Sequence, residues 1–345
     1  MKAKLILENG NEFIGDFIGE NLNVIRKLVF NTDVVGYQEV LTDSANKMRF
    51  VLFTYPLIGN YGFTNEDDES KYFASGVICG AINNNPSNFR YTKTLIDKVY
   101  EHNSFILTNL DTREITNNLR KFGDMYAIVC DLEKSKDEAL KEIAQYKKNE
   151  VIDNVSVKRI MYSKTKKPVL NVALLDLGYT QSLINMLNNL NINVTILPQN
   201  YDFKEIDNLH VDALIITNGI YNNSLINEVK NNLKSVVKKL PIYGIGLGAL
   251  ILAAYYGNEI IPLKNAHLST NHTVLNLRTK KIDYYRQNHD YQITKDNNLE
   301  ITHINQIDNT IEGFCNKEDK VLATLFYMND LSDFLSLVKE DSNNA

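Results

Sequence analysis

The sequence predicts an α/β protein in two parts: a mixed, β-rich α/β domain first, then an open, mainly parallel sheet flanked by helices. Three observations carry that expectation. The first 130 or so residues are short β-rich runs punctuated by Gly and Pro. A strongly charged stretch follows, from about Asp131 to Lys167. After Pro168, apolar strand-like runs alternate with segments of helical spacing, the pattern of a parallel sheet with right-handed crossovers. At 345 residues the chain can hold two ordinary cores. The expected division is 1–150 for the first domain, 151–168 for a linker and 169–345 for the second.

In chain order, "KLILENGNEFIGDFIG" alternates apolar and polar residues around Asn-Gly, which predicts a hairpin. "KLVFNTDVVGYQEVLTD", "FVLFTYPLIGNYG" and "FASGVICGAI" add further β-rich runs. "TKTLIDKVYEHN" has helical spacing at Leu95, Ile96 and Val99. A second helix is expected in "TREITNNLRKFG", with Thr112 as N-cap and Gly123 as C-cap. "DLEKSKDEALKEIAQYKKNE" reads as a polar helix leading into the linker. "VLNVALLDLG" is nearly continuous in apolar residues, as a strand buried on both faces requires. The helix "TQSLINMLNNLNI", the strands "VTILP" and "ALIITNG", the helix "SLINEVKNNLKSVVKKL" and the strand "PIYGI" follow. From about His267 the chain is expected to return to short strands and to end in a helix near Leu331 to Glu340.

Composition narrows the function classes. Hydrophobic residues at 44% and charged residues at 23% are ordinary for a globular chain. A formal net charge of −5 supplies no basic field for nucleic acid. No run of about 18 apolar residues suggests a membrane span, and the N-terminus turns polar too early for a secretory signal. A cytoplasmic protein is expected. Cys79, Cys130 and Cys315 are far apart and odd in number, which suggests buried thiols rather than disulfides or a zinc site.

The stretch "YGIGLGAL", Tyr243 to Leu250, joins an apolar strand to an apolar helix. Ligands sit at such turns in open parallel sheets. A plain glycine-rich connection is one reading. A phosphate loop is disfavoured, because the lysine and hydroxyl of a Walker motif are missing. A dinucleotide fingerprint fits poorly, because the turn comes late in the sheet. A catalytic elbow is the remaining possibility.

At these residues the sequence resembles the small, glutamine-hydrolysing subunit family of carbamoyl-phosphate synthase. "VFNTDVVGYQEVLTD", "FTYPLIGNYG", "NPSNFR" and "LDTREITNNLR" match in the first half. "VALLDLGYTQSLI", "ITNG", "YGIGLGALILAAYYG" and "YRQNHDY" track that family's class I glutamine amidotransferase domain. The resemblance implies an amidotransferase-like second domain whose turn carries Gly-Ile-Cys-Leu-Gly-His-Gln. By that match Gly246 stands at the nucleophilic cysteine, Leu247 follows it, Ala249 stands at the histidine and Leu250 at the glutamine. The family's His-Pro-Glu, base and orienting group, falls on Tyr327, Met328 and Asn329, and no histidine occurs after His303. Its Ser-Asn-Gly-Pro-Gly is "TNGIY", with Gly219 kept and Tyr221 at the oxyanion-hole glycine. Its Asp-Pro-Ser is "DSA", with Ala45 at the serine. Its Gln-Asn-His-Gly-Phe is "QNHDY", which retains Asn288 and places Asp290 and Tyr291 at the last two positions.

Amide hydrolysis by this route needs a thiolate to attack and a base to shuttle the proton. The resemblance therefore implies a subunit whose own glutaminase is lost, with no intact catalytic residue. The same changes count against L-glutamine binding. The partner implied is the large subunit, which holds ATP and Mg and makes carbamoyl phosphate for arginine and pyrimidine synthesis. No cofactor is expected on this chain. A second reading is a stand-alone, non-catalytic interaction or glutamine-site binding protein derived from that subunit. A glutaminase with unfamiliar residues ranks last. Cys315 reads as an ordinary buried or edge thiol, and His289 as a residue that positions backbone. His267, His272 and His303 show no carboxylate at metal spacing.

Overall fold

The computed structural model describes residues 1–294 and 299–344. The chain forms two compact units. One is Met1–Asp153 joined by Lys264–Ser269; the other is Asn154–Leu263 with the chain from Thr270 onward. The return of Lys264–Ser269 to the first unit has no signal in the sequence pattern. Its Asn265 amide and Ala266 N–H both donate to the Asp124 carboxylate, at 2.8 and 2.5 Å.

In the first unit seven strands close into a barrel. In spatial order they are Lys2–Leu7, Glu12–Gly19, Phe105–Thr108, Gly76–Ile78, Arg49–Phe53, Val24–Asn31 and Met125–Cys130. The first and last pair antiparallel and seal it, so no open edge is left. Alternation decides what points inward: Phe13 and Phe17 are buried while Glu12 and Ile14 face out. Phe50 and Phe105 meet edge to face inside, with ring centres 5.0 Å apart.

Besides the short helix Tyr37–Thr42, three helices pack on this unit. Leu95–Glu101 starts from a capping box in which Thr94 and Asp97 satisfy each other's backbone N–H. Lys136–Lys148 starts from a second box, between Ser135 and Glu138. Thr112–Phe122 departs from expectation by one residue. Asp111, not Thr112, is its N-cap and accepts from Glu114 N–H at 2.9 Å. Gly123 ends that helix as expected, at φ 94°.

The second unit is built on an eleven-stranded mixed sheet. At its heart five strands run parallel, in the order Ile192–Leu197, Leu170–Leu175, Ala213–Ile216, Ile242–Ile245 and Val321–Thr324. Helices Gln181–Asn189, Asn223–Leu233 and Leu247–Tyr255 alternate with these strands. Two apolar clusters cover the two faces, one around Ile216, Leu250 and Phe314, the other around Leu174, Tyr243 and Phe334. Both-face burial explains the continuous apolar runs in the sequence.

Three expectations change here. Of the strands after Ile260 the first two are long, not short: Ile260–Asn276 and Ile282–Ile293 carry polar residues because each is only partly covered, whereas those from Glu300 onward are short as expected. The helix expected across "SLINEVKNNLKSVVKKL" stops at Leu233, and the rest forms turns. Within the expected linker, Met161–Ser163 forms an edge strand, antiparallel to Ile192–Leu197. The final helix is Ser332–Asn344.

Candidate functional site

The strand Ile242–Ile245 is buried along its whole length, between parallel neighbours Ala213–Ile216 and Val321–Thr324. Its carboxyl end therefore opens where three strands end together, the usual ligand position in such a sheet. Gly246 makes the turn at φ 54° and ψ −112°, and helix Leu247–Tyr255 begins immediately after it. An L-residue reaches that conformation only with strain of about 1–3 kcal/mol, whereas glycine takes it freely. Gly248 answers a different need: a Cβ there would lie 2.1 Å from the Ile216 carbonyl oxygen, so the helix packs on the strand only without one.

What a Cβ on Gly246 would meet is a side chain. Asn218 Oδ1 lies 2.2 Å from that point and Asn218 Cγ 2.4 Å. The Asn218 carboxamide thus occupies the volume that a side chain at the turn would claim. It is buried and held by three hydrogen bonds. Leu247 N–H donates to Oδ1 at 2.9 Å, and Nδ2 donates to the Asn288 carbonyl at 2.9 Å and to Tyr327 Oη at 3.1 Å. The Leu247 amide, the first donor past the turn, is therefore already spent inside the protein.

Around this network the neighbouring residues form apolar packing. Leu247, Ala249 and Leu250 are buried in one cluster, and Tyr221 and Tyr291 pack against it. The Tyr221 and Tyr291 rings stack with centres 3.4 Å apart and 7° between planes. Tyr221 Oη donates to Asn223 Oδ1 at 2.9 Å. Burial, then the charge of Asp290, raises the Tyr221 phenol above its ordinary pKa. Gly219 lets the backbone pass Leu177, whose carbonyl oxygen would lie 2.0 Å from a Cβ.

The Tyr327 ring lies under the Arg286 guanidinium, 5.0 Å away, on an edge strand paired with Arg286 and Gln287. Met328 packs against the second apolar cluster. Asn329 is exposed, and its amide donates to the Tyr284 carbonyl at 3.0 Å. His289 Nδ1 meets the Tyr291 carbonyl at 2.9 Å, the backbone-holding contact expected of it. Its Nε2 also faces Glu312 Oε2 at 3.3 Å, both side chains buried, a partner the spacing did not reveal. Asp290 is buried beside it in the same strand. Burial drives His303 down to a pKa of about 4, so its ring is neutral near pH 7. Its Nδ1 bonds Thr302 Oγ1 at 2.9 Å.

Asn218 lies within "TNGIY", at the asparagine of the matched Ser-Asn-Gly-Pro-Gly, but its contact with Gly246 exists only once the strands ending at Ile216 and Ile245 lie side by side. Ala45 belongs to the first unit, buried in a short 3-10 turn that Asp43 caps. The thiol of Cys315 sits on strand Ile311–Asn316, where it accepts from Arg278 Nη2 at 2.8 Å and burial raises its pKa.

The second unit carries a class I glutamine amidotransferase domain: the family "Glutamine amidotransferase class-I" matches residues 173–326. Residues 5–129 match "Carbamoyl-phosphate synthase small chain, CPSase domain". The chain is 35% identical to the carbamoyl phosphate synthase small chain of Listeria monocytogenes, covering 92% of this chain and 88% of that one. It is 36% identical to that of Clostridium perfringens, covering 95% and 94%. Against the Bacillus cereus small chain it is 33% identical, covering 98% and 96%. The chain belongs to the carbamoyl-phosphate synthase small-chain family.

Proposed function

We propose that this chain is a carbamoyl-phosphate synthase small subunit whose own glutaminase has been lost. It pairs with a large subunit and supports synthesis of carbamoyl phosphate from bicarbonate, ATP and free ammonia. ATP and Mg belong to that partner. The observation that carries this reading is Gly246 itself, which brings no nucleophilic atom to the turn. The Asn218 amide fills the volume beside it and accepts the Leu247 N–H that the oxyanion of a tetrahedral intermediate would need. Tyr327, at the position of the base, cannot take its place. Its hydroxyl already accepts from Asn218 Nδ2, and a neutral phenol is a poor base toward a nucleophile. Tyr221 and Tyr291, stacked face to face, fill space beside the turn with rings, which supports loss of L-glutamine binding too.

The test is the reconstituted complex of this chain with the large subunit. Carbamoyl phosphate should form with ammonium chloride as nitrogen donor, with no added rate from glutamine. Glutamine-dependent synthesis above the ammonia-free background would sink the proposal. Failure of the two purified chains to associate would equally remove the supporting role.

A further inference from the structure

The second unit also holds a cavity of about 290 Å³, between the final helix Ser332–Asn344 and the start of strand Val321–Thr324. It lies at the opposite end of that strand from the turn, since Gly246 N–H bonds the carbonyl of Thr324 at the other end. The glutaminase chemistry does not involve it.

Its charges are segregated by wall. On the sheet side Arg278 and Lys317 share one carboxylate, Glu300, at 2.8 and 3.0 Å, which leaves that group one positive charge in excess. The bond from Arg278 Nη2 to Cys315 Sγ fixes the guanidinium along this wall. On the helix side stands Asp333. Val321, Leu322 and Leu337 supply apolar lining between the walls. The remaining cation, Lys320, is neutralised by its ion pair with Asp341.

A simple anion would be repelled by the helix wall, and a simple cation by the sheet wall. A molecule carrying both charges, a few ångströms apart, satisfies both. The apolar strip of Val321, Leu322 and Leu337 between the charged walls suits an amino acid with a branched aliphatic side chain. We propose that this cavity binds a free α-amino acid: its carboxylate on Arg278 and Lys317, its ammonium on Asp333, its side chain against Val321 and Leu337.

Cys315 reports on occupancy, because Cys79 and Cys130 are completely buried while Cys315 lines the cavity. Alkylation of Cys315 in the full chain would be followed by mass spectrometry as L-leucine is titrated. Expected is saturable protection, half complete at about 1 mM. N-acetyl-L-leucine, which lacks the ammonium, and L-leucinamide, which lacks the carboxylate, should protect poorly. Asp333→Asn should weaken protection by about 2- to 5-fold, as an exposed ion pair is worth, and Arg278→Gln by at least as much. Both sites are partly exposed, so circular dichroism will show whether the variants keep the fold. No saturable protection at about ten times that leucine concentration, or equal protection by the N-acetyl compound, overturns the proposal.

Discussion

Gly246 and Asn218 are coupled through one volume. A cysteine at 246 would adopt the left-handed backbone at a cost of about 1–3 kcal/mol. Its Cβ would also force Asn218 aside and break the bonds from Leu247 N–H, to Asn288 O and to Tyr327 Oη. Gly246→Cys should therefore lower stability in urea unfolding by more than the strain alone, and should hydrolyse no glutamine, because Tyr327 offers no base. Asn218→Ala should cost about 1–3 kcal/mol, since it strips buried groups of partners. The double variant should cost less than the sum of the two, because the collision exists in one background only. A strictly additive cycle would show that the two residues do not compete. At this scale the turn was legible and its plug was not. "YGIGLGAL" declares itself by local spacing, whereas Asn218 reaches Gly246 only once the strands ending at Ile216 and Ile245 lie side by side.

Among the elements, helix Thr112–Phe122 separates two residues that look alike as caps. Asp111 accepts the N3 backbone N–H, while Thr112 already lies in the first turn. Asp111→Ala should cost about 1 kcal/mol, within the usual 0.5–2 kcal/mol for a lost cap. Thr112→Ala should be close to neutral, since the helix keeps its cap. Equilibrium unfolding of the two variants decides between them, and the reverse ranking would reinstate Thr112. Boundary errors of this kind are expected where Asp and Thr stand together, both good caps, and only backbone angles tell which is used. Segments buried on both faces, such as Leu170–Leu175, were plain in the sequence. The long strand Ile260–Asn276 was not, because "STNH" interrupts its apolar residues and it serves both units. Barrel closure was hidden for a different reason: Lys2–Leu7 pairs with Met125–Cys130 across most of the first unit, and such pairing leaves no mark on either segment.

Over the whole molecule, each unit has its own apolar core. The barrel of the first is sealed and its helices are capped. In the second, the sheet and the strand-to-helix turn of an amidotransferase persist without thiol or histidine at the turn. Glycine at 246 keeps the backbone path that the fold needs and places no side chain at the turn.

The most direct measurement is the intact mass of this chain after acid quench, taken while its complex with the large subunit turns over in the presence of bicarbonate, ATP and glutamine. An enzyme of this class would carry a glutamyl thioester during the cycle. Here the chain should retain its unmodified mass throughout. A glutamyl adduct on any residue would contradict the claim that the site can no longer split an amide.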